Sequence, residues 1–219
     1  IYTVTQQAVD GYPLTGLTCS GGQVNLSAAR ATIVMAPGDQ VLCTFVNRTT
    51  SLRIVQDTDL NDGQDFRFRG CAGPSGAHGC GDFLLDDTVS DTTLPASLTY
   101  PGLASGTEYT VVQEDVAGYG LTDLNCTNAT IDLAARRATV VLEPGEQATC
   151  TFVNHATQLK IEVDAAPDNG VAVPFTGCAG PGGAYGCADF TLQESRQPTA
   201  AGRYRGLQAG VEYRVVQNE

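Results

Sequence analysis

The sequence has no tryptophan, one methionine, two histidines and a single lysine, Lys160. Basic residues are scarce altogether: 12 Lys and Arg stand against 24 Asp and Glu, a formal charge of −12. Nucleic acids and anionic membranes are held by basic faces, so neither is an expected partner. No apolar run approaches the roughly 18 residues that a membrane-crossing helix needs. Neither His78 nor His155 has a nucleophile motif such as G-x-S-x-G beside it, which argues against a hydrolase. No glycine-rich phosphate loop leads from a strand into a helix, which argues against nucleotide binding. No catalytic residue and no cofactor is expected, apart from the calcium ion considered below.

What the chain does contain is valine and threonine in short alternating runs, punctuated by 25 glycines and 10 prolines. That is the composition of an all-β protein rich in turns. Eight cysteines point to an oxidising compartment, extracellular or at a cell surface.

The chain repeats itself. Tyr2 recurs as Tyr109, Cys19 as Cys126, Cys43 as Cys150, Leu52 as Leu159, Cys71 as Cys178 and Phe83 as Phe190, always 107 residues on. After a three-residue deletion, Leu103 recurs as Leu207 and Tyr109 as Tyr213, 104 residues on. Within one repeat the runs 52–56, 65–69, 82–86, 97–103, 108–113, 121–126, 129–134, 138–142 and 148–154 read as strands closed by Gly, Pro, Asp or Asn turns. Eight or nine short strands in roughly 105 residues fit an immunoglobulin-like two-sheet sandwich. The expected domains are 1–50, the late half of one repeat; 51–156, a complete repeat; and 157–219, the early half of the next. The joints "RTTS" and "HATQ" have four residues each and reach at most about 14 Å.

The loop "CAGPSGAHGC" (71–80) invites a metal or redox reading, but its duplicate "CAGPGGAYGC" (178–187) has Tyr185 where His78 stands. A zinc site needs about four ligands, and the duplicate loses its only imidazole. Eight residues between the cysteines is also far from the two-residue spacing of zinc or thioredoxin-like motifs. A disulfide staple is the expectation. Period-2 alternation puts Cys150 on the face of Phe152, taken as the core face. The expected pairs are Cys19–Cys43, Cys71–Cys80, Cys126–Cys150 and Cys178–Cys187, each contributing roughly 3 kcal/mol on the chain-entropy account.

The succession "YTVVQ", "GYxLTxLxC", "CTFVN" and "LxIxxDxxxxDG" resembles the prealbumin-like, collagen-adhesin B-type (SpaA-like) repeats of bacterial surface proteins, over the whole chain. The resemblance implies prealbumin-like sandwiches in a secreted or wall-attached stalk, pilus or matrix component. Some members of that family form an intramolecular isopeptide bond from a first-strand lysine, a last-strand asparagine and a nearby acid. Aligned on the resemblance, the lysine position reads Arg53 and Lys160, the acid position Gln6, Gln113 and Gln217, and the asparagines Asn47 and Asn154. Arginine cannot serve as the amine, and glutamine cannot shuttle the proton that acid catalysis requires. Disulfides are expected to fill the covalent role.

"DTDLNDGQD" (57–65) is an oxygen-rich loop, with Asp57, Asp59, Asn61 and Asp65 around Gly63 as candidate calcium ligands and Asp86 and Asp87 as further ones. Its glycine falls one residue later than in an EF-hand, and the second copy has Ala166 and Ala172 at two ligand positions. An acidic turn made by "NDG" is the competing reading. Sequons for N-glycosylation occur at Asn25, Asn47, Asn125 and Asn128.

Two functions follow from this reading. The favoured one is a structural repeat of an extracellular filament, stalk or surface fibre; the alternative is an adhesin module binding a host or matrix ligand. An adhesin should elaborate one loop on one copy, whereas these copies differ by three residues in length. Residues 1–8 and 212–219 correspond to the same strand, so the sequence is expected to open and close inside a domain. The expected partner is therefore the chain itself, head to tail, in a longer tandem-repeat polypeptide or by strand complementation between subunits. Non-reducing peptide mapping should find the four named disulfides and no free thiol. A cross-repeat bridge such as Cys43 to Cys71 would contradict the domain assignment.

Overall fold

A computed structural model describes residues 1–9, 11–60, 63–87, 93–164, 170–184, 186–193 and 201–218. The chain forms two compact units: Ile1–Glu114 with Leu121–Val153, and Asp115–Gly120 with Asn154–Glu219. Among the described residues no helix is long and apolar enough to cross a membrane.

The first unit holds one complete sandwich. Its strands are β6 (Ser51–Thr58), β7 (Phe66–Ala72), β8 (Cys80–Leu85), β9 (Ser97–Pro101), β10 (Glu108–Gln113), β11 (Tyr119–Cys126), β12 (Ala129–Asp132), β13 (Arg137–Val141) and β14 (Gln147–Ala156). The first two residues of β11 and the last three of β14 belong to the second unit. All nine runs named from the sequence are strands. They form one sheet in the order β12-β13-β10-β7-β8 and another in the order β11-β14-β6-β9. The inward face follows from alternation. On β14, Ala148, Cys150 and Phe152 are buried, while Thr149, Thr151 and Val153 between them are half-buried. Phe152 meets Phe68 edge-on at 5.1 Å between ring centres. Phe68 stacks on Phe83 at 5.3 Å, and Phe83 meets Tyr100 at 5.6 Å. This aromatic ladder is the centre of the core.

The same unit begins with β1 (Tyr2–Thr5), β2 (Leu14–Cys19), β3 (Gln23–Asn25), β4 (Arg30–Ile33) and β5 (Cys43–Asn47), paired as β1-β4-β3 and β2-β5. Tyr2 opposite Ile33 and Thr5 opposite Arg30 repeat the register of Tyr109 opposite Val140 and Val112 opposite Arg137. The duplication thus extends from sequence to strand pairing.

In the second unit, β15 (Gln158–Glu162) pairs with β18 (Ala201–Arg205), and β16 (Ala172–Ala179) lies between β17 (Cys187–Gln193) and β19 (Tyr213–Gln217). Val163, Phe175 and Leu192 form its core, with Ile161, Val173, Phe190 and Val215 packed against them. The ladder returns: Phe175 stacks on Phe190 at 5.3 Å, and Phe190 meets Tyr204 at 5.5 Å. An apolar groove of about 510 Å³, lined by Leu159, Ile161, Phe190, Tyr204, Leu207 and Val215 among others, runs beside that ladder. The corresponding hollow in the first unit, beside Leu52, Tyr100, Leu103 and Val111, is about 180 Å³.

Every cysteine is bridged, each to the cysteine across from it on a neighbouring strand: Cys19–Cys43, Cys71–Cys80, Cys126–Cys150 and Cys178–Cys187. Two bridges span 9 residues and two span 24.

Candidate functional site

The residues most unlike a plain hydrophobic core lie at the end of β6. Its alternation carries Leu52, Ile54 and Gln56 inward and Arg53 outward. Gln56 and Gln113 are each 1% exposed. A buried amide must find partners or forfeit its hydration. Gln113 Nε2 donates to Gln56 Oε1 at 2.7 Å, and Gln56 Nε2 donates to the Asp57 carbonyl at 3.1 Å. One repeat earlier, Gln6 Nε2 donates to Asn47 Oδ1 at 2.6 Å, and Asn47 Nδ2 returns a bond to Gln6 Oε1 at 3.3 Å. The counterparts of these two are Gln113 and Asn154, and Asn154 is also buried.

The structure corrects the alignment that placed Arg53 and Lys160 at a cross-linking amine position. Arg53 is exposed and donates to Ser97 Oγ at 3.0 Å. Lys160 is exposed on β15 and paired with Glu162. The inward polar residue of the first strand is Gln56, and its counterpart 107 residues on is the buried Val163. Neither offers an amine. The signal was present in the sequence, since Gln56 continues the period-2 series of Leu52 and Ile54. Neutral amides neither attack a carbonyl nor shuttle a proton near pH 7. At this site they tie strand to strand by hydrogen bonds.

The proposed calcium ligands fall around the end of β6. Asp57, Asp59 and Asp65 are exposed, and Asn61 lies outside the described residues. Thr58 Oγ1 accepts from the Leu60 N–H at 3.0 Å, which turns the chain and buries Leu60 in the core. Asp87 Oδ2 accepts from the Thr58 N–H at 2.5 Å. Burial raises the Asp87 carboxyl above its ordinary value, the Asp57 and Asp86 charges add to the rise, and the Thr58 N–H opposes it. Among the described residues no group of three or more His, Cys, Asp or Glu is placed to hold a metal ion. In the second copy Asp164 is exposed, while Asp168 lies outside the described residues.

The sequons differ in availability. Asn25 is exposed and its Oδ1 accepts from Ser27 Oγ and the Ala28 N–H. Asn47 is bonded to Gln6, and Asn128 Nδ2 donates to Glu146 Oε1 at 2.7 Å. Asn125 is exposed on β11 beside the bridged Cys126. His78 packs over Gly73, where an added methyl would lie 2.4 Å from its Cδ2. Tyr185, its counterpart, lies outside the described residues.

The amide pair can be tested by a double-mutant cycle. Gln113→Leu removes the donor to the buried Gln56 Oε1 and should cost about 1–3 kcal/mol of unfolding free energy in urea. Gln56→Leu combined with Gln113→Leu should cost less than the two single changes together, by more than about 0.5 kcal/mol. Additive costs would show that the two amides do not stabilise each other.

Residues 52–156 match the model of a prealbumin-like fold domain, and residues 1–45 match a second prealbumin-like fold model, both of the SpaA kind. Nothing among the curated proteins matches the chain. Among solved structures, the major pilin of Streptococcus pyogenes shares 14% identity over 80% of this chain and 83% of its own, with a TM-score of 0.31. The TIE protein of Bacillus anthracis shares 14% over 86% of this chain and 32% of its own, with a TM-score of 0.35. The T-13 major pilin of S. pyogenes shares 14% over 78% of this chain and 82% of its own, with a TM-score of 0.32. These structural likenesses are distant, and the two family matches together take in more than half of the sequence. The chain belongs to the prealbumin-like fold (SpaA) family of domains.

Proposed function

We propose that the chain is a structural repeat segment of an extracellular filament, stalk or surface fibre, with no enzymatic role. The observation that carries this reading is the near-equal duplication: two copies that differ by three residues in length and share register, aromatic ladder and staple. A spacer gains reach by repeating equal units, whereas a receptor site grows where one copy departs from the other. Four disulfides support an oxidising exterior. The buried pair Gln56–Gln113 is neutral, which supports a role that involves no chemistry on a substrate.

The same reading supplies the partner, another repeat of this kind, joined head to tail. In the first unit Phe152 closes the aromatic ladder beside Phe68. The groove in the second unit lies beside the counterpart ladder of Phe175, Phe190 and Tyr204, and late strands of a further repeat have the apolar face to fill it. Antibodies against residues 52–156 should label native cells on the outside, in rows along fibres, and label confined to the cell interior would overturn the proposal. A denaturing, reducing gel separates its two forms. A band near 22.9 kDa means strand exchange between subunits, and a band several-fold larger means one tandem polypeptide.

A further inference from the structure

The short joint between Asn47 and Leu52 is a packed contact. Thr50 is 0% exposed and Ser51 7%. Its backbone and hydroxyls are tied to two turns of the complete sandwich. The Leu103 N–H donates to the Thr50 carbonyl at 3.1 Å, and the Gly145 N–H to Thr50 Oγ1 at 2.9 Å. The Ser51 N–H donates to the Glu146 carbonyl at 2.9 Å, and the Gly102 N–H to Thr49 Oγ1 at 3.3 Å. Against the same place lies the turn Val9–Tyr12, closed by Tyr12 N–H to the Val9 carbonyl at 3.0 Å. Gly11, just before Tyr12, has φ +75°, in the left-handed region that favours glycine. Gly11 approaches Gly102 backbone to backbone, so that a methyl added to Gly11 would lie 2.7 Å from Gly102 Cα.

The turn, the glycine approach and the leucine bond of this contact recur inside the second unit. Tyr119 N–H closes a turn on the Val116 carbonyl at 3.1 Å, and Gly118 in that turn has φ +85°. A methyl on Gly118 would lie 2.5 Å from the Gly206 carbonyl oxygen and 2.8 Å from Gly206 Cα. The Leu207 N–H donates to the Thr157 carbonyl at 3.2 Å, as Leu103 does to Thr50. The Thr157 N–H donates to the Gly118 carbonyl at 2.8 Å, which fastens the turn to the joint. Gly11 and Gly118 are 107 residues apart, and Gly102 and Gly206 are 104 apart, the two offsets of the repeat.

We infer that Gly11–Gly102 and Gly118–Gly206 are two copies of one docking surface, through which a repeat receives the turn of the repeat before it. The partner this surface fits is another repeat of the same type, and the recognition element is a bare glycine backbone. No side chain separates the two turns, so no rotamer can give way, and the hydrogen bonds of the four-residue joint hold them in register. The contact is accordingly a fixed coupling and not a hinge. The inference stands whether the repeats space or adhere.

The test compares two glycines with the same backbone strain. Gly63 also has φ +75°, but a methyl added there meets nothing within 4 Å. In the full 219-residue chain, Gly11→Ala should accelerate hydrogen exchange at the Ser51, Gly102, Leu103 and Gly145 amides by about tenfold or more. Gly63→Ala should leave those four amides at the unsubstituted rate. Amides in the core strands β10 and β13 report whether the sandwich itself stays folded, and they should remain protected in both variants. Gly118→Ala against Gly210→Ala, where Gly210 has φ +76° and open space, repeats the comparison at the Leu207 and Thr157 amides. Equal exchange at the joint in Gly11→Ala and Gly63→Ala overturns the inference, as does loss of β10 and β13 protection together with the joint.

Discussion

The meeting of Phe152 with Phe68 closes the sandwich, and most of the repeat is arranged around it. A repeat without tryptophan has few large side chains with which to fill a two-sheet core. Here the filling is a ladder of Phe and Tyr rings carried by strands from both sheets. Strand β14 supplies the closing ring and, two residues earlier, the half-cystine Cys150, buried on the same face. Truncating a buried phenylalanine to alanine costs about 3–5 kcal/mol in proteins generally. A bridge closing a loop of this size is worth about 3 kcal/mol on the entropy account. Both act on one strand, beside a total stability of about 5–15 kcal/mol for a typical domain.

Charge contributes little by comparison. Arg69 reaches Asp82 at 3.4 Å and Arg137 reaches Asp132 at 3.2 Å, with all four side chains more than a third exposed. Surface pairs of this kind are worth about 0–1 kcal/mol each. Asp87 works against the fold near neutral pH. Its folded-state carboxyl is raised, so ionisation is disfavoured there, and the burden eases as pH falls through the folded value toward the ordinary one. Deeper in the core the sandwich accepts neutral amides, which need no counter-charge, and Gln113 Nε2 donates to Gln56 Oε1 there.

Much of this was legible because the chain carries its own comparison. Duplication pointed to a staple in "CAGPSGAHGC", and Cys71 and Cys80 are bridged; alternation in "ATCTFVN" put Cys150 and Phe152 on one face, where they are found. The nine strands of the complete repeat were readable from runs of Val, Thr and Phe between turns. Two features escaped. The family pattern aligns its amine position with Arg53, whereas two-residue periodicity makes Gln56 the inward neighbour of Leu52 and Ile54. The docking of Gly11 on Gly102 was hidden because a backbone contact leaves no side-chain pattern. Its sequence trace is two glycines repeated at the offsets 107 and 104.

Stretching a single chain from its two ends tests most directly whether the disulfides staple these repeats. Each 24-residue bridge should withhold about 80 Å of contour length and each 9-residue bridge about 30 Å, at roughly 3.4 Å per residue. The account predicts that the oxidised chain unfolds to a shorter length than the reduced one by the sum of those segments, and at higher force. Equal lengths and equal forces with and without reductant would contradict it.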